Sequence, residues 1–276
     1  MKFTKMHGLG NDFILVDTFE EVIKDPQALA RAITRRRVAI GADGLILIGP
    51  SEVGDFRMMV YNADGSAAQM CGNGLRCAAK YAVDHGLAAA PMVRAETDAG
   101  LRTAQCHAVD GVIRSVRVDM GFPSMDVKTI PCTIRTERVV DHPLEINCCV
   151  YSVTCLSMGN PHAVVFVDDL DAVVLERVGP AFEHAPVFPQ RINTHFARLD
   201  SPTRVTVKTW ERGSGETSAC GTGACAVCVA GVLTGRTRRR VTAALPGGDL
   251  QIQWSDDEHV YMTGPAVEVF SGEWHG

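Results

Sequence analysis

Met70-Cys71-Gly72-Asn73-Gly74 and Ala219-Cys220-Gly221-Thr222-Gly223 are two copies of one short phrase, a cysteine before a Gly-x-Gly turn, and each opens an alanine-rich run that reads as a helix. The copies lie 220 − 71 = 149 residues apart. A second echo keeps that offset: Gly8-Leu9-Gly10-Asn11 is matched by Ser157-Met158-Gly159-Asn160, and 160 − 11 = 149. Two independent matches at one offset indicate an internal duplication, with too few copies for a solenoid. The expectation is a pseudo-twofold that brings the same turn of each half to one central cleft.

Short apolar runs recur between turn signals. Ile14–Val16, Leu45–Ile48, Phe56–Tyr61, Val112–Val118, Val164–Val167, Arg204–Trp210 and Leu250–Trp254 read as strands, several alternating apolar and polar residues as half-buried antiparallel strands do. Helices are expected over Pro26–Arg37, over Gly74–His85 with Gly86 as its stop, and over Gly223–Thr234. The last is apolar nearly all round, so it is expected in a core. The fold class is therefore α/β (α+β): two pseudo-symmetric domains, each a mixed β-sheet or barrel wrapped around a central helix. The boundary is placed near Gly121-Phe122-Pro123. It gives one half over 1–120, joined by a returning C-terminal strand within 265–276, and a second half over 121–264.

The chain of 276 residues has room for two cores, and its net charge of −5 argues against a nucleic-acid binder resting on bulk electrostatics. Arg35-Arg36-Arg37 and Arg238-Arg239-Arg240 read as solvated helix ends or strand edges. Met1–His7 carries no apolar signal-peptide core, and no apolar stretch reaches the roughly 18 residues that span a bilayer. Ten cysteines without a scaffold spacing point to free thiols in a reducing cytosol. The expected setting is cytoplasmic, with neither nucleic acid nor membrane as a partner.

A thiol at a helix N-terminus sits at the positive end of the macrodipole, which favours thiolate. The glycines allow close approach to backbone N–H groups, so each turn can cradle a carboxylate. An amino acid held by both turns could lose its α-proton to one cysteine and receive a proton from the other on the opposite face. Charge developing on the carboxylate would meet the same N–H donors. The other cysteines read as packing. Cys225 and Cys228 have CxxC spacing but lie mid-helix, and Cys148-Cys149 is expected in a strand with its thiols on opposite faces. No Walker A, HExxH or GxSxG sequence occurs, and no metal is expected.

Taken together, His7–Phe13, Asn62–Gly74, Met158–His162 and Glu211–Gly223 resemble the diaminopimelate epimerases, from Lys2 to about Phe270. The resemblance implies a cofactor-independent enzyme interconverting LL- and meso-diaminopimelate in lysine and peptidoglycan precursor synthesis. It implies Cys71 and Cys220 as the acid/base pair, with Cys220 as acceptor and Cys71 as donor in a reversible reaction. His162 and Glu211 match positions that tune the thiols. The repeat offset pairs them with Phe13 and Asn62, so the tuning groups break the symmetry as two oppositely protonated thiols require. Asn11, Asn62, Asn160, Asn193, Glu211 and Arg212 match substrate-holding positions, and Gly72-Asn73 with Gly221-Thr222 would supply the cradle. Arg212 suits a carboxylate by bidentate pairing. One departure is Gly44, where some members carry Gln, so no substrate contact is carried over there. A homodimer is implied, with Phe270 at its contact.

Three rivals remain. Proline racemases share Cys-Gly-Thr-Gly, but their first motif usually has His where this chain has Asn73. A thiol redox or metal-binding protein would use Cys71 and Cys220 differently, and a binding module would hold the amino acid without exchanging its α-proton. Oxidation is expected to inactivate an epimerase by joining the two thiols.

Overall fold

The computed structural model describes residues 1–19 and 21–276. The chain divides into two units, Met1–Asp119 with Thr263–Gly276, and Met120–Met262. The first series of elements is β1 (Lys2–Gly8), β2 (Asn11–Asp17), α1 (Pro26–Ile33), β3 (Gly44–Gly49), β4 (Phe56–Asn62), β5 (Ala67–Ala68), α2 (Gly72–Asp84), β6 (Met92–Thr97), β7 (Gly100–Val109) and β8 (Val112–Asp119). The second is β9 (His142–Ile146), β10 (Cys149–Ser157), β11 (Pro161–Phe166), α3 (Leu175–Glu183), β12 (Asn193–Ser201), β13 (Arg204–Glu211), β14 (Gly215–Glu216), α4 (Gly221–Leu233), β15 (Arg240–Leu245), β16 (Gly248–Trp254) and β17 (Val260–Gly264). A last strand, β18 (Val267–Glu273), pairs antiparallel with β1.

The repeat extends to every helix. Its offset carries α1 onto α3 (175 − 26 = 149) and α2 onto α4 (221 − 72 = 149). Strand pairing repeats too: β2–β3 and β11–β12 are parallel, with Phe13 opposite Gly44 and His162 opposite Asn193. The next pairs, β3–β4 and β12–β13, are antiparallel, with Ile46 opposite Val60 and His195 opposite Thr209. Each sheet is therefore mixed.

Each unit wraps its sheet around one helix. In the first, α2 is buried from Gly72 to Ala82 and touches β1, β2, β3, β4, β6, β7 and β8. In the second, α4 touches β10, β11, β12, β15 and β16, and its apolar, small-residue surface leaves no polar face for water. Both central helices begin two residues before the expected start. The Gly-x-Gly phrase is the first helical turn itself, and its N–H groups would be unpaired within any helix, so glycine costs little there. Beyond the His85 cap of α2, Gly86 takes φ +74°, the left-handed conformation that stops a helix.

Helix α1 starts where Asp25 accepts from the Ala28 N–H at 2.9 Å and Pro26 fills the first turn, and it ends at Ile33, short of the expected Arg37. Helix α3, which carries Pro180 inside it, was not expected. The ring of Trp210 lies against Gly179: a Cβ there would sit 2.3 Å from Trp210 Cδ2. The vicinal cysteines also differ from expectation. Cys148 lies in the β9–β10 turn at φ +62° and only Cys149 enters a strand, with both exposed.

Candidate active site

In the first unit, Cys71 is the extended residue that caps α2, and its Sγ accepts from the Gly74 N–H at 3.4 Å. The cap holds the thiol at the helix entrance, half-buried. Asn11, at the start of β2, lies 4.0 Å from that sulfur through Oδ1, which also accepts from Asn73 Nδ2 at 3.1 Å. Asn11 Nδ2 donates to Asp43 at 2.9 Å. Asp43 and Asp12 both pair with Arg36, and Asp12 also pairs with Lys5 at 2.7 Å, so a charged cluster braces this end of β2. Asn62 is exposed and donates to Ser66 at 2.9 Å. Gly44 is demanded by the sheet, because a Cβ there would lie 2.8 Å from the Tyr61 carbonyl oxygen.

In the second unit, Cys220 caps α4 in the same extended conformation but is buried. Its Sγ lies 3.6 Å from Thr222 Oγ1 and its thiol hydrogen-bonds the Glu211 carboxylate. Glu211 Oε1 also accepts from Thr217 Oγ1 at 2.5 Å. Asn160 donates to Thr222 Oγ1 at 3.5 Å and accepts at Oδ1 from His162 Nε2 at 2.8 Å. Behind them, His162 Nδ1 lies 2.8 Å from His195 Nε2, and His195 Nδ1 lies 3.0 Å from Thr209 Oγ1.

The turn bearing Glu211 and Arg212 is clamped from below. Buried Glu183, at the end of α3, accepts from Trp210 Nε1 at 2.7 Å and from the Gly213 N–H at 2.9 Å. Asn193 accepts from the Arg212 N–H at 3.0 Å and donates to the Pro161 carbonyl at 2.8 Å. It holds Arg212 in place through the backbone. The Arg212 side chain is exposed, with Nη1 on the Gln190 carbonyl at 3.0 Å.

The macrodipole argument predicts a thiolate, and at Cys220 it loses. Burial pushes this thiol well above its ordinary range, and the nearby Glu211 carboxylate pushes it further. The Thr222 hydroxyl and Gly223 N–H pull the other way and are outweighed. A helix terminus is worth about 0.3–2 kcal/mol, less than taking a thiolate out of water costs. Cys220 therefore rests as a thiol beside the Glu211 carboxylate. The two imidazoles are also neutral. Burial drives His162 well below its ordinary value, helped by His195 and Arg212, and burial alone brings His195 down to about 3.

Within each unit the fold gathers the expected residues: Asn11, Cys71, Gly72 and Asn73 in one, and Asn160, His162, Glu211, Cys220, Gly221 and Thr222 in the other. Sequence reasoning passed over His195, Thr209 and Glu183. His195 had a signal, a polar residue amid Thr194 and Phe196 and Ala197 on a buried strand, opposite a threonine. Among the described residues, no cluster of three or more His, Cys, Asp or Glu could hold a metal ion, and no helix is long and apolar enough to cross a membrane.

The family model for diaminopimelate epimerase matches residues 3–125 and 154–269. Over 274 residues the chain is 50% identical to the diaminopimelate epimerase of Acetivibrio thermocellus, covering 99% of this chain and 98% of that relative. It is 51% identical over 276 residues to that of Pelotomaculum thermopropionicum, covering 99% of each. A solved probable proline racemase from Agrobacterium radiobacter K84 is similar in fold, with a TM-score of 0.71 at 16% identity over 99% of this chain and 92% of that one.

Proposed function

The chain belongs to the diaminopimelate epimerase family, and from that premise we propose that it interconverts LL- and meso-diaminopimelate by a two-base mechanism with Cys71 and Cys220 as the bases. The observation that carries the proposal is the repeat itself. One cysteine caps the central helix of each unit, at equivalent positions, before the same Gly-x-Gly turn.

In the forward direction Glu211 takes the Cys220 proton, and the Cys220 thiolate removes the α-proton from one face of the substrate carbon. The Cys71 thiol gives its proton to the other face. In the reverse direction the roles exchange. First-turn N–H groups at Gly72-Asn73 and Gly221-Thr222 receive the α-carboxylate and the charge that builds on it. Arg212 pairs with a substrate carboxylate, and Asn11, Asn62 and Asn160 orient the polar groups of the substrate. Asn193 joins them in holding the substrate and also fixes the Arg212 backbone. Every proton step falls to the chain's own side chains, so added pyridoxal phosphate is not expected to raise the rate.

The wider setting belongs to the same proposal: a cytoplasmic enzyme of lysine and peptidoglycan precursor synthesis, acting as a homodimer. Support for the dimer comes from β18, all seven of whose residues are exposed, including the apolar Val267, Val269 and Phe270. Chiral chromatography of LL-diaminopimelate incubated with the reduced protein tests the activity. Formation of the meso isomer, with proline and hydroxyproline left unchanged, is the expected result. Turnover of proline with diaminopimelate untouched would favour the racemase reading.

A further inference from the structure

In the second unit, three polar side chains form a continuous line where the first unit is apolar. The repeat offset places Thr209 on Val60 (209 − 149 = 60), His195 on Ile46 (195 − 149 = 46) and His162 on Phe13 (162 − 149 = 13). All six residues are buried, and the cross-strand registers agree: His195 faces Thr209 as Ile46 faces Val60. The packing slot agrees too. A Cβ added to Gly223 would meet His195 Cε1 at 2.2 Å, and one added to the equivalent Gly74 would meet Ile46 Cδ1 at 3.0 Å. The first unit shows that this fold closes with three hydrophobes here. Two imidazoles and a hydroxyl add a desolvation cost that only their mutual hydrogen bonds offset.

Those bonds have one direction. Asn160 Oδ1 can only accept, so His162 carries its proton on Nε2. Its Nδ1 must then accept, which places a proton on His195 Nε2. His195 Nδ1 accepts in turn from the Thr209 hydroxyl. From the other end of the line, Asn160 Nδ2 donates to Thr222 Oγ1, beside the Cys220 sulfur. The order needs a neutral His162, because a second proton on its Nδ1 would face the His195 Nε2–H.

We propose that His195 is a positioning residue: with Thr209 behind it, its Nε2–H fixes His162 in the Nε2–H tautomer and so aims Asn160 and Thr222 at the Cys220 thiol. The inference rests on the reading of Cys220 as an acid/base thiol. It makes the second unit's thiol the one served by a rigid polar line, and it explains why Thr209–His195–His162 has no counterpart in the first unit.

The test replaces His195 with the residue its twin carries. For His195→Ile we expect kcat for LL-diaminopimelate to fall about 10- to 100-fold, the usual effect of removing a group that orients a functional histidine, with KM within about two-fold. Thr209→Val should give a smaller loss of the same kind. His195→Gln, which keeps a donor toward His162 and an acceptor toward Thr209, should recover much of the activity lost in His195→Ile. Long-range ¹H–¹⁵N spectra of His162 should show the Nε2–H tautomer in the wild type and a mixture in His195→Ile. An unchanged kcat in His195→Ile would overturn the proposal. So would an unchanged His162 tautomer, or equal losses in the Ile and Gln variants. The tautomer spectrum reads the line even in a protein that turns over no diaminopimelate. Failure of the epimerase reading would instead show as a wild type that leaves the substrate unchanged.

Discussion

His195 Nε2 lies 2.8 Å from His162 Nδ1, and neither ring is exposed to solvent. One proton lies between two neutral imidazoles, a state that is comfortable in the fold and ordinary in water only above the free histidine range.

Acid stability follows from that pair. Both rings have folded values below the ordinary 6.5. Above pH 6.5 folded and unfolded chains are both neutral there, so stability is unaffected. Below it, the unfolded chain takes up protons that the fold refuses, and stability falls until the folded groups titrate, at about 3 for His195. Each such histidine should cost about 1.4 kcal/mol per pH unit in that window. Urea unfolding at several pH values from 7 to 4.5 should show the slope, and His195→Ile should flatten it.

Glu211 should separate thiol chemistry from catalysis. Burial and then the Glu211 charge hold the Cys220 thiol up, so Glu211→Gln should move the pH midpoint of its alkylation downward. The same change removes the group that accepts the thiol's proton, and kcat should fall by about 10²–10⁴. Mass spectrometry of iodoacetamide labelling across pH, read beside the rates, checks both. A more reactive thiol with unchanged turnover would remove Glu211 from the mechanism.

The two repeats give matched glycines for comparison. Gly223→Ala drives a methyl into the His195 ring, whereas Gly74→Ala meets the end of a flexible Ile46. Overpacking of this kind costs about 1–3 kcal/mol, and the larger cost is expected at Gly223. Urea midpoints of the two variants test the order.

Phe270 packs edge-on against Phe3, with ring centroids 5.9 Å apart, and remains 49% exposed. Phe270→Glu should shift the protein toward monomer in size-exclusion chromatography with light scattering. A wild type that runs as a monomer, or a variant that runs as a dimer, would remove β18 from the assembly.

Much of this arrangement was legible in the sequence because a repeat turns spacing into position. The offset between Cys71 and Cys220 locates both helix caps from spacing alone. What escaped was tertiary in origin. Helix α3 went unseen because nothing nearby in sequence announces that Trp210 will pack against Gly179. The resting protonation of Cys220 escaped because the helix terminus is visible in the sequence, while the burial that overrides it is not. His195 was passed over for a similar reason: its importance lies in being opposite Thr209 and beside His162, relations that only the sheet register supplies. The bonds from the Asn193 amide to the Arg212 backbone and to Pro161 escaped for the same reason.

The most direct test of the two-base account is proton NMR of LL-diaminopimelate in D₂O with the reduced protein, its Cys71→Ala variant and its Cys220→Ala variant. The account predicts that the wild type washes out the α-proton signal as the meso isomer appears, and that neither variant interconverts the isomers. A folded, reduced wild type that leaves the α-proton in place, or a single-cysteine variant that still forms the meso isomer at the wild-type rate, would contradict it.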